Sequence, residues 1–420
     1  MKKNYLLLFT DFFPFDMWEP FLIAEMDYLA KSFDRIFIFS NHAGTGRPIY
    51  NLPSGVEAIF IPPSVNTFEK MSSIGFLFKK LFWEEMKFIK EQYKISRSGL
   101  RIRTALASLM LAHRYKKIIE KFILKKKLSD GNIYVYSYWT DYRAIAAALL
   151  KCDHSYVAIS RAHNWDIYFE RHKALYLPFR KFISQKISHI FFVSENGRNY
   201  FISKIGELQD NKTSVSRLGI GKQQPNQEPQ QDEFTLISCS RLVPVKRVHL
   251  IIDILDGITE APVRWIHFGS GPLRYQLEDY AHQKLDRHKN MRFEFRGDVK
   301  QEELMNFYCT QPVDLFLLTS EYEGMPYVII EALSFCIPVM ATDAGGIREA
   351  ISNENGILLP REFDASKASQ LLNDFIRLAP ENKAAIRKAA FETWQSMFDA
   401  EKNYTSFIST VFNLRQSIKQ

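Results

Sequence analysis

Short apolar runs alternate with helix-period stretches along almost the whole of this chain, stop once, and then start again. The first series of runs spans residues 5–9, 35–39, 56–61, 133–136, 156–159 and 190–193. Continuous apolar runs separated by helix-length stretches suit a parallel sheet, whose strands are covered on both faces by crossover helices. Residues 221–233, GKQQPNQEPQQDE, then carry no large apolar side chain and are rich in Gln, Pro and Asn, the composition of a linker. The alternation resumes at 235–239, 263–268, 291–295, 314–318 and 338–341, and the chain from Asp364 onward reads as helical. At 420 residues and 46% apolar, two cores are the natural expectation. The pattern therefore predicts two doubly wound α/β domains facing across a cleft, with boundaries at 1–221 and 234–395, a linker at 222–233, and a last helix over 396–420 that can cross back to the first domain.

In open α/β sheets ligands bind outside the carboxyl ends of the strands, so the residues just after each run matter most. The stretch TSEYEGMPYVIIEALSFCIPVMATDAGG, residues 319–346, follows an apolar strand. A polar turn carries Glu323 and Gly324, and a helix expected from Pro326 carries Glu331. Proline is favoured at a first helical position, where its missing N–H has no partner. Free N–H groups at such a helix end favour an anion. Two carboxylates beside an anion site make sense if they accept hydrogen bonds from hydroxyls, as on a sugar and a ribose, while the helix end faces a phosphate. A second constellation is SRLVPVKR, residues 240–247, where Arg241 and Lys246 flank a proline turn. Two cations there suit a diphosphate and would stabilise charge on a leaving group; taken alone they also read as a solvated basic turn.

Three other strand ends are weaker. HFGSGPLR, residues 267–274, lacks the third glycine of a dinucleotide fingerprint and reads as a tight turn. FRGDV, residues 295–299, would present Arg296 to a base or to solvent. In SRAHNWDIYFE, residues 160–170, His163 follows a buried strand and should face the cleft with Arg161 and Asp166 beside it.

Other chemistries lose support. No Asp-x-Asp triplet occurs, so the usual carboxylate grip on a nucleotide-bound divalent metal is missing and no metal site is expected. No GxxxxGK[ST], HExxH or GxSxG occurs either. The four cysteines, Cys152, Cys239, Cys309 and Cys336, form no CxxC pair, which reads as reduced and cytosolic. The apolar run after Lys2 and Lys3 is interrupted at Asp11, too early for a signal peptide or a membrane span.

With these residues in view, the chain resembles a family-4 retaining glycosyltransferase of the GT-B fold, of the bacterial surface-polysaccharide type, over nearly its whole length. The E-x7-E element carries the resemblance: Glu323, Gly324, Pro326, Glu331 and Ala332, followed by Pro338, Gly345 and Gly346. So do SRLxxxKR, the segments 193–220 and 12–30, and RAHNWD. The resemblance implies an N-terminal Rossmann-like domain for the acceptor and a C-terminal one for the nucleotide sugar. It implies that Glu323 and His163 serve the donor sugar and the chemistry, that Arg241 and Lys246 hold the diphosphate, and that Glu331 binds the ribose. Arg296, Gly324 and Met325 are candidate base or sugar contacts. It implies no metal and no cofactor beyond a UDP- or GDP-linked sugar as donor substrate. One departure stands out. Many members carry a glycine-rich turn after the first strand that meets the phosphates, whereas residues 11–20 hold no glycine but Phe12, Phe13, Phe15 and Trp18. These aromatics are candidates for the acceptor instead.

Net charge is +8, yet residues 65–130 hold sixteen Lys or Arg against six Asp or Glu, which leaves −2 for the rest of the chain. Phe76, Phe78, Phe82, Trp83, Phe88, Tyr93, Tyr115 and Phe122 lie among these cations. Such helices suit the anionic inner leaflet of a membrane, and they also suit ordinary amphipathic helices with a solvated basic face. No nucleic-acid module accompanies the charge. The sequence thus predicts a cytoplasmic transferase, peripheral on the inner membrane face, that moves a sugar from a nucleotide diphosphate donor to a glycan or lipid-linked acceptor. A nucleotide-sugar epimerase of similar fold and a non-catalytic sugar-nucleotide-binding subunit are the rivals.

Overall fold

A computed structural model describes residues 2–42, 44, 46–63, 73–96, 98–206, 210–227, 232–259 and 261–419. Residues 65–72 and 97 of the basic segment and 228–231 of the linker lie outside the described residues. The chain forms two compact units, one of Met1–Arg217 with Tyr404–Gln420, the other of Leu218–Asn403.

The first unit holds a seven-stranded parallel sheet. Its strands are β1 (Asn4–Thr10), β2 (Arg35–Ser40), β3 (Val56–Phe60), β4 (Asn132–Ser137), β5 (Val157–Ala162), β6 (His189–Phe192) and β7 (Thr213–Val215). They lie in the order β3-β2-β1-β4-β5-β6-β7. β1 shows why the apolar runs are continuous. Leu7 and Phe9 enter the core beneath the helix Gly99–Lys125, while Leu6 and Leu8 enter the opposite core beneath the helix Phe21–Ser32. The last helix, Ala400–Lys419, completes that second core with Phe407, Ile408 and Val411, and the Phe407 ring stands 4.7 Å from Phe191. The basic segment forms a 3-10 turn, Ser73–Phe78, and the helices Lys80–Glu91 and Gly99–Lys125. Most of its aromatics pack inward: Phe82, Phe88 and Tyr115 are buried, and Phe76, Tyr93 and Phe122 pack against that core. Phe78 and Trp83 alone among them are exposed, at 86% and 55%. Among the described residues no helix is long and apolar enough to cross a membrane.

The second unit repeats the plan with six parallel strands: β8 (Phe234–Cys239), β9 (Val263–Phe268), β10 (Met291–Gly297), β11 (Leu315–Leu318), β12 (Val339–Thr342) and β13 (Gly356–Leu359). Their order is β10-β9-β8-β11-β12-β13. The helices Ala365–Ile376 and Pro380–Met397 follow, the former capped by Asp364, which accepts from the Lys367 N–H. Part of the stretch read as linker is built into this unit. Asn226 is buried, donates to the Tyr308 and Gln311 carbonyls and accepts from the Val313 N–H. The two strands that the alternation does not mark, β7 and β13, are three and four residues long. In each sheet the strand order reverses once, between β1 and β4 and between β8 and β11, and that reversal marks the ligand crevice of a doubly wound sheet.

Candidate active site

In the second unit, the loops that leave β8 and β11 meet at the reversal. The β8 loop makes a single 3-10 turn, Pro244–Lys246, and Arg247 then adopts φ 48°. Thr319, at the end of β11, places its Oγ1 2.9 Å from the Arg247 carbonyl oxygen, and Arg247 Nε donates back to the Thr319 carbonyl at 2.9 Å. The Glu321 N–H donates to the Val245 carbonyl at 2.8 Å. This weld brings together two side chains 77 residues apart in sequence: Lys246 Nζ donates to Glu323 Oε1. The Lys246 side chain is 23% exposed and that of Glu323 only 7%. Glu323 is buried and Lys246 partly exposed, so the pair is reached from the side of the amine. An incoming diphosphate can compete for the amine while a hydroxyl donor competes for the carboxylate.

The Glu323 loop is braced from behind, where the Gly346 N–H donates to the Gly324 carbonyl at 2.7 Å. Met325 is buried at 5% exposure, so its side chain serves packing. Pro326 is the N-cap rather than the first residue of the helix, which spans Tyr327–Ser334. Its ψ of 123° is extended, so helical geometry begins one residue later than proline statistics suggest. Glu331 is buried and accepts from Gln301 Nε2 at 2.8 Å. Burial pushes its carboxyl up to about 7, and the Gln301 hydrogen bond only partly offsets this. Such a group gains most from hydroxyl donors that favour its charged form. Arg241 is exposed on the same β8 loop. Arg296, at the end of β10, is held by Glu294 at 2.9 Å and lies over the Phe268 and Phe307 rings at 5.6 and 5.0 Å.

The glycines of HFGSGPLR support this loop rather than a ligand. A Cβ on Gly269, whose φ is +125°, would stand 2.0 Å from the Ser240 carbonyl oxygen, and one on Gly271 2.5 Å from that of Leu242. The close approach lets the Leu242 N–H donate to the Ser270 carbonyl at 2.9 Å.

In the first unit His163 directly follows β5 and is 7% exposed. Its ring packs against Tyr138 and Trp139, with centroids at 4.5 and 4.6 Å. Neither ring nitrogen has a hydrogen-bond partner among the described residues. Burial and the nearby Arg161 charge push the imidazole well below its usual range, so it is neutral and able to exchange one hydrogen bond with a hydroxyl. The neighbours expected beside it have other tasks. Arg161 turns into the core to pair with Glu25 at 2.6 Å, both side chains fully buried. Asp166 accepts from the backbone N–H groups of Thr140, His163 and Asn164 at 2.8, 2.9 and 3.0 Å, which shapes the loop. Of the aromatics after β1, Phe13 and Phe15 are buried, Phe12 is half-buried and stacks on His42 at 4.1 Å, and Trp18 is exposed. Gln301 escapes sequence reading because its partner lies 30 residues away. Its one visible mark is its place at the start of the helix Gln301–Thr310, just after a strand end.

Residues 220–392 match the family described as Glycosyl transferases group 1. An O-antigen biosynthesis glycosyltransferase of Escherichia coli, WbnH, is 26% identical over 289 residues, which cover 68% of this chain and 81% of the relative. Among solved structures, Anabaena HepE, determined in complex with UDP and glucose, aligns over 97% of this chain and 99% of its own at a TM-score of 0.63 and 16% identity. Sucrose-phosphate synthase of Thermosynechococcus elongatus aligns over 99% and 100% at a TM-score of 0.70 and 14% identity. These neighbours share the GT-B architecture of two parallel-sheet Rossmann-like domains.

Proposed function

We propose that this chain, a glycosyltransferase of the GT-B fold, moves one sugar from a nucleotide diphosphate sugar to a lipid-linked or polysaccharide acceptor in surface-glycan synthesis. It does so with retention of anomeric configuration and without a metal. The reading rests above all on the Lys246–Glu323 pair, a cation and a carboxylate welded together at the strand-order reversal of the second unit. The E. coli relative named for O-antigen biosynthesis supports the acceptor class, and the UDP and glucose bound by HepE support the donor class.

In this mechanism Arg241 and Lys246 take the diphosphate and Glu323 accepts hydrogen bonds from the sugar hydroxyls. Glu331 accepts from the ribose. The bond between the anomeric carbon and the phosphate oxygen breaks, and the electron pair stays on that oxygen, where the Lys246 amine stabilises the growing charge. The acceptor hydroxyl forms the new bond on the same face, and its proton passes to the departing phosphate. The products are the glycoside and a nucleoside diphosphate. His163, in the first unit, is assigned to a hydroxyl of the donor sugar. Metal independence rests on the missing Asp-x-Asp triplet.

Thermal-shift titration with UDP, GDP and their sugars tests the donor, since a ligand that binds only the folded chain raises its stability. No shift with any of them sinks the reading. Proton NMR of the product reads the anomeric configuration, and a rate unchanged by EDTA is expected.

The chain is also assigned to an anionic inner-membrane surface. Phe78, Trp83, Lys79, Lys80, Lys87 and Lys90 of the basic segment are exposed, with Lys80 and Lys87 paired to Glu84 and Glu91. Sedimentation with anionic but not neutral vesicles, weakened by salt and by Phe78→Ser with Trp83→Ser, is the expected outcome. Equal recovery with both vesicle types rejects it.

A further inference from the structure

The turn after β1 contains a buried carboxyl group to which the reaction above gives no task. Glu19 is fully buried. Its Oε2 accepts from the Phe12 and Phe13 N–H groups at 2.8 and 2.6 Å. Its Oε1 accepts from the Asp11 N–H at 3.2 Å and from the indole Nε1–H of Trp139. Burial raises this carboxyl, but all four partners are donors, and they and the nearby Arg143 charge favour the carboxylate. Three successive amides converging on one acceptor form an anion nest. It sits at the strand-order reversal, after the first strand and before the helix Phe21–Ser32, where doubly wound folds commonly receive a phosphate. Here the anion is the chain's own side chain.

The same carboxylate holds Trp139, which leaves β4 on the other side of the reversal. The indole packs against His163 at 4.6 Å and against Trp165 at 5.6 Å. Among the described residues no hydrogen bond to either ring nitrogen orients His163, so its aromatic neighbours set the direction of the imidazole.

We propose that Glu19 is a positioning residue: its carboxylate fills the anion nest of the β1 turn and, through the Trp139 indole, fixes the ring of His163. The β1 turn consequently takes no donor phosphate, and the diphosphate depends on the second unit. The effect on rate rests on the assignment of His163 to the transfer reaction; the placement of Glu19 does not.

The test is Glu19→Ala, read in three ways. The 15N–1H resonance of the Trp139 indole, identified by its loss in Trp139→Phe, shifts because its acceptor is gone. The kcat falls about tenfold, the scale of a modest misplacement of a reacting group, while KM for the donor stays within twofold. Millimolar formate restores both resonance and rate where chloride does not, since formate returns a carboxylate of the deleted size to the nest. If Glu19→Ala does not fold, Glu19→Gln keeps the side-chain size and removes the charge, and Trp139→Phe removes the indole N–H together with part of the ring that packs on His163. Either should lower kcat about threefold with the donor KM unchanged. An indole resonance that does not move in Glu19→Ala overturns the placement without any transfer assay. A shifted resonance with wild-type kcat, or a loss confined to donor KM, overturns the positioning role. Should the transfer reading itself fail, the indole shift and the formate titration still decide whether Glu19 fills the nest.

Discussion

The turns after β1 and after β8 occupy the same place in two sheets of the same strand order, yet they are charged in opposite ways. The β1 turn consumes its amides on Glu19, a carboxylate from within the same turn. In the β8 turn Arg241 is exposed, and Lys246, its side chain 23% exposed, pairs with the buried Glu323. Topology fixes where a ligand crevice can form. Whether an anion binds there depends on whether the amides and cations of the turn are already satisfied. On this comparison the donor diphosphate is proposed for the second unit and not for the first.

The largest effect should come from emptying the β8 turn of its cation. Lys246→Ala is predicted to lower turnover about a hundredfold, the scale of one lost electrostatic contact to a developing charge. Lys246→Arg should recover only part of it, because a planar fork replaces a point charge. Full turnover in Lys246→Ala, measured as nucleoside diphosphate release, breaks the comparison at its stronger end.

The same contrast explains what could be read without the fold. Glu323 and Lys246 are legible because each follows an apolar run that must be a strand, and strand ends are where such sheets bind. Glu19 and Gln301 are not, because their meaning lies in partners 120 and 30 residues away, Trp139 and Glu331. The strands from β1 to β6 announce themselves by continuous apolar runs. β7 and β13 are too short to do so, and β13 further depends on Gly356, where a Cβ would stand 2.0 Å from the Val339 carbonyl oxygen. The basic segment is only partly legible. Cations and aromatics share a helix by sequence, but Phe82, Phe88 and Tyr115 belong to the core.

The next effect sharpens the claim that the β8 turn is preset by its neighbours. Gly269→Ala places a Cβ against the Ser240 carbonyl in a backbone conformation that L side chains rarely adopt. The strain should cost about 2 kcal/mol, roughly 4–8 °C in melting temperature for a unit of this size. A displaced loop should also weaken UDP or GDP binding. An unchanged melting temperature with unchanged affinity removes the glycines from the account.

A smaller effect concerns Glu331. Its carboxyl is raised to about 7, so below that pH it is mostly protonated and above it charged. Hydroxyl donors favour the charged form, so nucleotide affinity should rise as pH goes from 6 toward 8 and flatten above it. Binding near pH 6 should release a proton, visible by calorimetry in buffers of different ionisation enthalpy. Glu331→Gln should abolish the slope and cost about tenfold in affinity at pH 8, the scale of one charged hydrogen bond. A slope of the same size in Glu331→Gln assigns the titration elsewhere and leaves the ribose contact without support.

The smallest effect asks whether the positive charge that matters in the second unit is confined to the β8 turn. Arg296 is the last residue but one of β10, two strands from the reversal, and is already engaged by Glu294 and by the faces of Phe268 and Phe307. An arginine so engaged gives up existing contacts to reach a ligand, which offsets what a new contact adds. Arg296→Ala should therefore change nucleotide affinity by less than about threefold, within the 1 kcal/mol expected of an exposed pair. It should also leave the salt dependence of binding as it was. A loss of affinity of about tenfold or more would spread the anion site from β8 to β10, and the contrast between the two turns would no longer rest on the β8 loop alone.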